Sequence, residues 1–510
     1  MVDGPAEPIW MSAILRLPPE LIEFSLREPP RSLLIRGEPG AGKSTLALTL
    51  LSGFRGRKVL VTSRVTQHEV EQDYPWLRSE FDGPIEIIEA RGGGARLEAK
   101  ARALQTSSEL LRADPSSGEL DPLWLPDPLI EAFSRIGPGT PGMVVVDSWD
   151  ALVEQYVGRP GADRRHLPDR DEIERLMLNL LGGGRVHLVI VVEREALSQL
   201  DYLVDGVIAC VLTSSEDRLE RWTHLKKMRG VRVDHAWYPY TLEGGKFLCI
   251  SPLPADFRTR LHPPEPEPDH QPGWLWPGSS GYAAHFGRLE LGRMTLIEVA
   301  PDVPVEAARL FVAPLQGQVL THGGRLLVIL PPSLSPSDIW TSFRTVVSPE
   351  QFRDGVRIFS PAGLLPGGED TELLEQVLVA GPTTEGPSNT SRMPEASRFL
   401  TEGGGVGAPN LATVWLNGLH AGSTEGPAAY SPDMLSALVR KTLAGSACHL
   451  VMIGSPTDPF ALGLQEIAST RISLKARSGR VFVYGVRPLT SPLVLAQTDT
   501  GAAYHLIRIV

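Results

Sequence analysis

The sequence contains little cysteine, and this scarcity excludes two kinds of small-domain architecture. Its 510 residues include three cysteines, Cys210, Cys249 and Cys448, which are far apart. A disulfide framework or a cysteine-based zinc site needs paired or closely spaced thiols, so neither fits. Cys210 and Cys249 stand in apolar runs, where we expect small buried side chains.

Long apolar runs and an excess of basic charge are also missing. No run of about 18 apolar residues occurs, so the sequence predicts no membrane span, and the first residues, MVDGPAEPIW, do not resemble a signal peptide. Lys and Arg number 49 against 60 Asp and Glu, a net charge of −11. This balance disfavours a broad nucleic-acid surface. We therefore expect a cytoplasmic protein, with no membrane partner and with nucleic acid unlikely as a partner.

Glycine and proline are abundant, at 50 and 45 residues, and their densest stretch divides the chain. Within residues 253–281 the sequence HPPEPEPDHQPGWLWPGSSG cannot sustain a helix or a central strand. We predict an interdomain linker there, with Trp274 and Trp276 docked on one domain. Residues 1–252 and 282–510 then form two domains.

Strand-length apolar runs alternate with helical segments in the first domain. The runs lie near residues 31–37, 57–63, 84–90, 143–148 and 186–193, and the helical segments near 43–52, 126–135 and 171–181. Several runs are apolar throughout, as in strands covered on both faces. This alternation predicts an α/β fold with a mostly parallel sheet flanked by helices, extended by antiparallel strands after Gly206.

The second domain repeats this order of elements. Strand-like runs near 292–300, 323–332, 355–361, 411–419 and 448–456 parallel those of the first domain, and a surface loop is predicted over 381–392. We therefore hypothesise an internal duplication. Two α/β domains of independent origin are the alternative.

A glycine-rich motif follows the first predicted strand. Gly37-Glu38-Pro39-Gly40-Ala41-Gly42-Lys43-Ser44 fits G-x-x-x-x-G-K-[ST], with Thr45 next, between an apolar strand and a helix-forming segment. Backbone amides of such a loop hold phosphates at a helix N-terminus. We predict that the loop binds ATP, with Lys43 reaching the β- and γ-phosphates and Ser44 binding Mg²⁺. The alternative is a glycine-rich turn without nucleotide.

An acidic residue ends the fourth predicted strand. Asp147 follows the apolar run MVVV, and in that place we predict that it holds Mg²⁺ through a water. A carboxylate there can also merely cap the next element.

Further segments carry a family resemblance. DSWDAL after the fourth strand, DYLVDGVI at 201–208 and LKKMRGVRVDHAWYPYTLEGG at 225–245 resemble the RecA-superfamily ATPases of the KaiC type in order and spacing. RGEPGAGKSTLAL, TSRV at 62–65 and DYPWL at 73–77 resemble, more narrowly, the archaeal gas vesicle protein D regulators. The resemblance covers about residues 14–252. It implies two tandem RecA-like P-loop domains, the second degenerate, in a regulator that represses by acting on a transcription-activator protein.

The resemblance also implies roles for Lys227 and Arg229. In KaiC-type assemblies the matching lysine and arginine reach the nucleotide of a neighbouring subunit, which requires a homo-oligomeric ring. Judged from their residue types alone, the two side chains could equally be solvated charges on a hairpin.

One departure from the hydrolysing relatives concerns the catalytic base. Their second strand ends in glutamate, whereas this chain has Arg64 and Val65 there, and arginine cannot deprotonate water at neutral pH. Glu69, Glu71 and Glu193 remain alternatives, and Arg64 could instead contact phosphate. We therefore predict slow ATP hydrolysis or none.

The second domain lacks the nucleotide motifs. Residues 300–307 read APDVPVEA, without glycine or lysine, and Asn417 stands where a strand-end aspartate is expected. We predict a degenerate partner domain in a nucleotide-dependent switch that acts on a protein partner, with the basic stretch 158–175 as a candidate surface. A DNA-acting recombinase-like ATPase and a non-catalytic nucleotide-bound scaffold are the alternatives.

Overall fold

The computed structural model describes sixteen stretches of the chain. They are residues 17–78, 84–90, 126–136, 140–157, 170, 174, 186–193, 198–253, 263–331, 333–360, 370–380, 398–400, 408–416, 432–445, 447–497 and 504–510. The helix predicted over 171–181, the loop over 381–392, Asn417 and most of the basic stretch 158–175 lie outside these residues. Two compact units are present, Ile14–Ser251 with Ile509–Val510, and Pro252–Arg508.

The first unit is built on a nine-stranded sheet of order β3-β2-β4-β5-β1-β6-β7-β8-β9. Strands β1 to β6 pair in parallel, and β7 to β9 continue the sheet antiparallel. The strands are β1 Ser32–Gly37, β2 Arg57–Thr62, β3 Ile85–Glu89, β4 Gly142–Asp147, β5 Val186–Val191, β6 Gly206–Ser215, β7 Arg218–Met228, β8 Trp237–Thr241 and β9 Leu248–Cys249.

Helices cover this sheet on both faces. They are α1 Pro19–Ser25, α2 Lys43–Gly53, α3 Gln67–Asp73, α4 Asp127–Ile136, α5 Trp149–Val157 and α6 Leu200–Leu203, with 3₁₀ turns at Pro75–Arg78 and Glu243–Gly245. Alternate residues of β1 enter opposite cores, since Leu33 and Ile35 belong to one buried cluster and Leu34 to the other. Burial on both faces explains why the strand is apolar throughout.

The second unit contains a ten-stranded sheet of order β15-β14-β13-β16-β17-β12-β18-β19-β20-β21. Its strands are β12 Met294–Val299, β13 Leu326–Ile329, β14 Val356–Phe359, β15 Leu378–Ala380, β16 Asn410–Trp415, β17 Cys448–Gly454, β18 Thr470–Arg477, β19 Arg480–Arg487, β20 Leu493–Gln497 and β21 Tyr504–Arg508. The strands β12 to β18 pair in parallel and the last three antiparallel. If the edge strand β15 is left out and the remaining nine strands are numbered along the chain, their order across the sheet is the same as in the first sheet.

The first described helix of the second unit precedes β12, and the others lie between the strands of the sheet along the chain. They are α7 Ser280–Phe286, α8 Val305–Thr321, α9 Pro336–Phe343, α10 Pro349–Gly355, α11 Thr371–Val377, α12 Pro432–Ala444 and α13 Pro459–Leu464. In the part of the chain that the structure describes, no helix of either unit is long and apolar enough to cross a membrane.

Part of the predicted linker is folded. Within residues 263–281, β10 Trp274–Leu275 pairs with β11 Leu289–Glu290, and the segment belongs to the second unit. Trp276 is buried, donates to the carbonyl of Glu265 at 3.0 Å and lies under the guanidinium of Arg288. Trp274 is 40% exposed, so only one of the two indoles is docked. Proline prevents regular structure here, but it does not prevent an extended segment from packing through its aromatic residues.

Candidate nucleotide site

The glycine-rich motif forms the turn between β1 and α2. Residues 38–42 connect the strand end at Gly37 to the helix start at Lys43. Gly42 precedes the helix with φ +76°, and a Cβ there would lie 2.9 Å from Leu242 Cδ2. A Cβ on Gly37 would lie 2.1 Å from the Cys210 carbonyl oxygen. The turn therefore needs glycine both for its left-handed backbone and for its close approach to β6.

Lys43 lies inside this turn. Its ammonium donates hydrogen bonds to the carbonyls of Gly37 and Glu38, both at 2.8 Å. Burial lowers the pKa of Lys43, while the negative charges of Glu193 and Asp147 act in the opposite direction. A partly desolvated ammonium at a helix start is suited to bind phosphate oxygens.

Asp147 lies at the same edge of the sheet. The strand register places Asp147 beside Val191 of β5, and Val191 beside Ile35 of β1. Burial raises the pKa of Asp147, opposed by a hydrogen bond with Ser44 and by the charge of Lys43. A hydroxyl and a carboxylate in contact are the oxygen ligands that Mg²⁺ uses together with phosphates.

A cavity of about 330 Å³ joins these groups. Its lining consists of Pro39, Gly40, Gly42, Lys43, Ser44, Thr45, Tyr74, Asp147, Glu193 and Leu242. Six of the nine residues predicted from the motif therefore face the same space as the strand-end aspartate, while Gly37, Glu38 and Ala41 do not line it. The glycine cradle and oxygen donors fit a magnesium nucleotide. No group of three or more described His, Cys, Asp or Glu residues could hold a metal on its own. A magnesium ion would therefore depend on the nucleotide for further ligands.

Two further lining residues have no counterpart in the motif. Tyr74 follows α3 and forms a hydrogen bond with Thr45. Leu242 follows β8 and covers Gly42. Neither has a sequence signal of its own, because only the fold brings the segments after α3 and β8 to the loop. Both residues belong to segments of the family resemblance, Tyr74 to DYPWL and Leu242 to residues 225–245.

The three glutamates considered as catalytic bases for ATP hydrolysis occupy different places in the structure. Glu193 lines the cavity. Glu69 accepts from the backbone amide of Thr66 in the N-terminal cap of α3, and Glu71 accepts from Gln67 at 2.9 Å. Glu193 is therefore the one of the three that faces the cavity.

Arg64 is paired with this same glutamate. Its Nη1 lies 2.5 Å from Glu193 Oε1, so Arg64 adjoins the cavity through Glu193 without lining it, and Val65 does not line it either. The strand end that carries glutamate in hydrolysing relatives thus supplies a cation to the site.

Lys227 and Arg229 lie away from the cavity of their own chain. The β1–β6 register places Gly206 beside Leu33, at the end of β1 opposite the phosphate loop, and Met228 beside Gly206. Lys227 Nζ donates to three carbonyls at the end of α6, those of Asp201, Tyr202 and Val204, at 2.9, 3.1 and 2.6 Å. Arg229 contacts Asp205 and Tyr202. Their action on a neighbouring subunit stays a prediction.

The matching turn of the second unit has different chemistry. Residues 300–304 connect β12 to α8, the same length as residues 38–42, but Val305 and Glu306 stand where Lys43 and Ser44 begin the helix. Glu306 pairs with Arg309 at 2.9 Å. This turn offers a carboxylate instead of an ammonium, which disfavours phosphate.

The strand row of the second sheet lacks the aspartate as well. In the first sheet, three neighbouring strands align Ile35, Val191 and Asp147. The corresponding strands of the second sheet align Ile297, Ile453 and Trp415, so a buried indole stands in place of the carboxylate. Asn417, expected at this place from the sequence, lies outside the described residues.

Comparison with known proteins agrees with the motifs. Residues 21–226 match the family model described as GvpD gas vesicle protein, P-loop domain. The chain is 23% identical to Protein GvpD2 of Halobacterium salinarum over 96% of its own length and 95% of that protein. It is 24% identical to Protein GvpD1 of the same organism, over 91% of this chain and 85% of the relative. The resemblance to the gas vesicle protein D regulators is therefore confirmed.

Proposed function

We propose that this chain, similar to the GvpD gas vesicle proteins over nearly its whole length, is a nucleotide-dependent regulator of a protein partner. It binds ATP with Mg²⁺ in its first unit, in the cytoplasm, and the bound nucleotide sets its association with a partner such as a transcription activator. One observation supports this most directly. The glycine loop, Lys43 and Asp147 face one cavity within the segment that matches the GvpD P-loop model.

Each group at the site has a separate task in this proposal. The amides of residues 38–42 bind phosphate oxygens, and Lys43 leaves the loop carbonyls to neutralise the β- and γ-phosphates. Ser44 and Asp147 hold Mg²⁺, which when bound neutralises phosphate charge. Thr45 keeps Tyr74 against the loop through their hydrogen bond.

Hydrolysis in this proposal is slow or absent. Glu193 is paired with Arg64 at 2.5 Å, so the guanidinium occupies the carboxylate that would have to accept a proton from water. Nucleotide exchange then sets the state of the protein, as expected of a switch rather than of a fast ATPase.

The second unit is a degenerate copy of the first in this proposal, within a tandem RecA-like and KaiC-like arrangement. The shared strand order and the equal length of the β1–α2 and β12–α8 turns support a common origin. Val305 and Glu306 remove the means of binding phosphate, so this unit serves assembly or partner contact. A homo-oligomeric ring with Lys227 and Arg229 acting between subunits is part of the proposal, and native mass measurement with and without ATP tests it.

The test of this function measures partner association at defined nucleotide state. The full chain is tagged and mixed with the purified transcription activator of the gas vesicle genes, with Mg-ATP, with Mg-ADP and without nucleotide. We expect capture of the activator to depend on the nucleotide, and Lys43→Ala to remove that dependence. Val305→Ala, at the matching place in the second unit, is the control and keeps it.

Equal capture of the activator in all three conditions would contradict a nucleotide-dependent switch and would favour the alternative of a non-catalytic scaffold. Phosphate release is measured on the same samples, with Lys43→Ala as the background. Release well above that background would contradict the slow hydrolysis proposed here.

A further inference from the structure

We propose that Arg64 is a γ-phosphate-binding side chain that Glu193 holds at the edge of the cavity, so that the site distinguishes a triphosphate from a diphosphate. When a triphosphate is bound, Arg64 exchanges the Glu193 carboxylate for the γ-phosphate. When a diphosphate is bound, the ion pair persists. This inference rests on the proposed nucleotide site and identifies the side chain that binds differently when ATP rather than ADP is present.

The strand order places the pair across the centre of the site. Arg64 follows β2 and Glu193 follows β5, and β4, which carries Asp147, lies between those two strands. The 2.5 Å contact between the two side chains therefore spans the end of β4. The charge of Arg64 acts on both Lys43 and Asp147, so the guanidinium is close to the place where Lys43 would bind the γ-phosphate and Asp147 would hold Mg²⁺.

The backbone around both residues is held in place. Ser63 and Ser148 exchange two hydrogen bonds, each 3.0 Å long, and the Thr62 hydroxyl donates to the carbonyl of Val65 at 2.9 Å. The amide of Glu193 donates to Asp150 Oδ2 at 2.9 Å. The exchange thus needs only side-chain rotation, and no movement of the strand ends.

The energetics favour the exchange. The side chains of Arg64 and Glu193 are 52% and 32% exposed, and an ion pair this open to water contributes little stability. An arginine–phosphate contact is stronger, because it is charge-assisted and often bidentate. The γ-phosphate also repels Glu193, which further weakens the resting pair.

The chain contains a matched ion pair that does not face the cavity. Arg57 at the start of β2 contacts Glu86 at 3.2 Å, with side-chain exposures of 54% and 29%. Arg57 begins β2 and Arg64 follows it, and the two pairs have nearly the same solvent exposure, although Glu86 also contacts Arg135 at 3.2 Å. A role of Arg64 that is only structural predicts the same behaviour for both arginines.

The experiment compares the affinities of two nucleotides in the full chain. Calorimetry with Mg²⁺ measures Kd for ADP and for a non-hydrolysable imido analogue of ATP in wild type, Arg64→Ala, Arg64→Lys, Glu193→Gln and Arg57→Ala. We expect Arg64→Ala to reduce the preference for the triphosphate by on the order of tenfold or more, with little change for ADP. Arg64→Lys restores part of it, Glu193→Gln increases it, and Arg57→Ala leaves it unchanged.

The outcomes separate this inference from the proposed function. An unchanged preference in Arg64→Ala, or an equal loss for both nucleotides, overturns the role of Arg64 while wild-type binding that is lost in Lys43→Ala still supports the nucleotide site. A wild type that binds neither nucleotide overturns both. Circular dichroism of each variant verifies that it is folded, and Arg64→Lys serves as the test should Arg64→Ala not fold.

Discussion

The hydroxyl of Ser63 and the backbone of Ser148 form a reciprocal pair of hydrogen bonds, each 3.0 Å long. Ser63 donates to the Ser148 carbonyl and accepts from the Ser148 amide, and both residues are buried. The pair joins the ends of β2 and β4, immediately beside Arg64 and Asp147. One small hydroxyl therefore fixes the spacing of two charged groups at the nucleotide site.

Replacing this serine is expected to destabilise the first unit. Ser63→Ala removes the acceptor of the buried Ser148 amide, while the Ser148 carbonyl keeps its bond from the Leu152 amide at 3.2 Å. The loss costs about 1–3 kcal/mol of unfolding free energy. Urea unfolding measures the loss. Ser52→Ala is the control, because the Ser52 hydroxyl donates within its own helix, to the carbonyl of Thr49 at 2.6 Å. An equal loss in both variants would contradict the role of Ser63.

Two loop glycines should separate folding from binding. Gly37→Ala places a methyl group 2.1 Å from a backbone oxygen of β6, so we expect it to disrupt the sheet. Gly40→Ala meets no atom within 4 Å and bears only the strain of a left-handed backbone, about 1–2 kcal/mol. Its methyl group enters open space at a residue lining the cavity, so the protein folds but binds nucleotide weakly. Thermal unfolding and nucleotide titration measure the two effects, and a Gly37→Ala protein as stable as Gly40→Ala would contradict this assignment.

Asp147 should show opposite effects on stability and on binding. Its pKa is raised by burial, so the ionised carboxylate opposes folding at pH values above its usual pKa. Asp147→Asn removes that cost and is expected to keep or raise the melting temperature without nucleotide. The same variant should lose the extra stabilisation that Mg²⁺ adds to ATP binding. Thermal unfolding with ATP, with and without Mg²⁺, measures both, and an unchanged Mg²⁺ effect would exclude Asp147 as the metal-holding residue.

A buried histidine of the second unit should make the protein less stable in acid. His449 lies between Thr295 and the Glu290 carbonyl, and burial lowers its pKa to about 4. The pKa of His449 is lower in the folded protein than the value of about 6.5 in the unfolded chain, so protonation favours unfolding. The free energy of unfolding is therefore highest above pH 6.5 and falls as the pH is lowered toward 4. The loss amounts to about 3 kcal/mol.

In His449→Gln the free energy of unfolding should depend less on pH than in wild type, measured by urea unfolding between pH 7 and about 4. Exposed His270 supplies the comparison, and His270→Gln should leave the profile as in wild type. A His449→Gln profile as steep as that of wild type would exclude His449 as its source.

The sequence predicted most where the signal was local. Apolar runs located the central strands because those are buried on both faces, whereas the edge strand β3 is only half-buried. The glycine loop was recognisable because its residues are contiguous. The Arg64–Glu193 pair was not predictable, since it depends on a strand order that places β4 between β2 and β5. The docking of Trp276 was predicted from its apolar side chain, whereas the short strand β10 was not, because a high proline content gives no sign of it.

Nucleotide stoichiometry tests the central claim most directly. Calorimetric titration of the full chain with the imido analogue of ATP and Mg²⁺ should give one site per chain, absent in Lys43→Ala and retained in Val305→Ala. No binding, two sites per chain, or binding that survives Lys43→Ala would contradict a single regulatory site in the first unit.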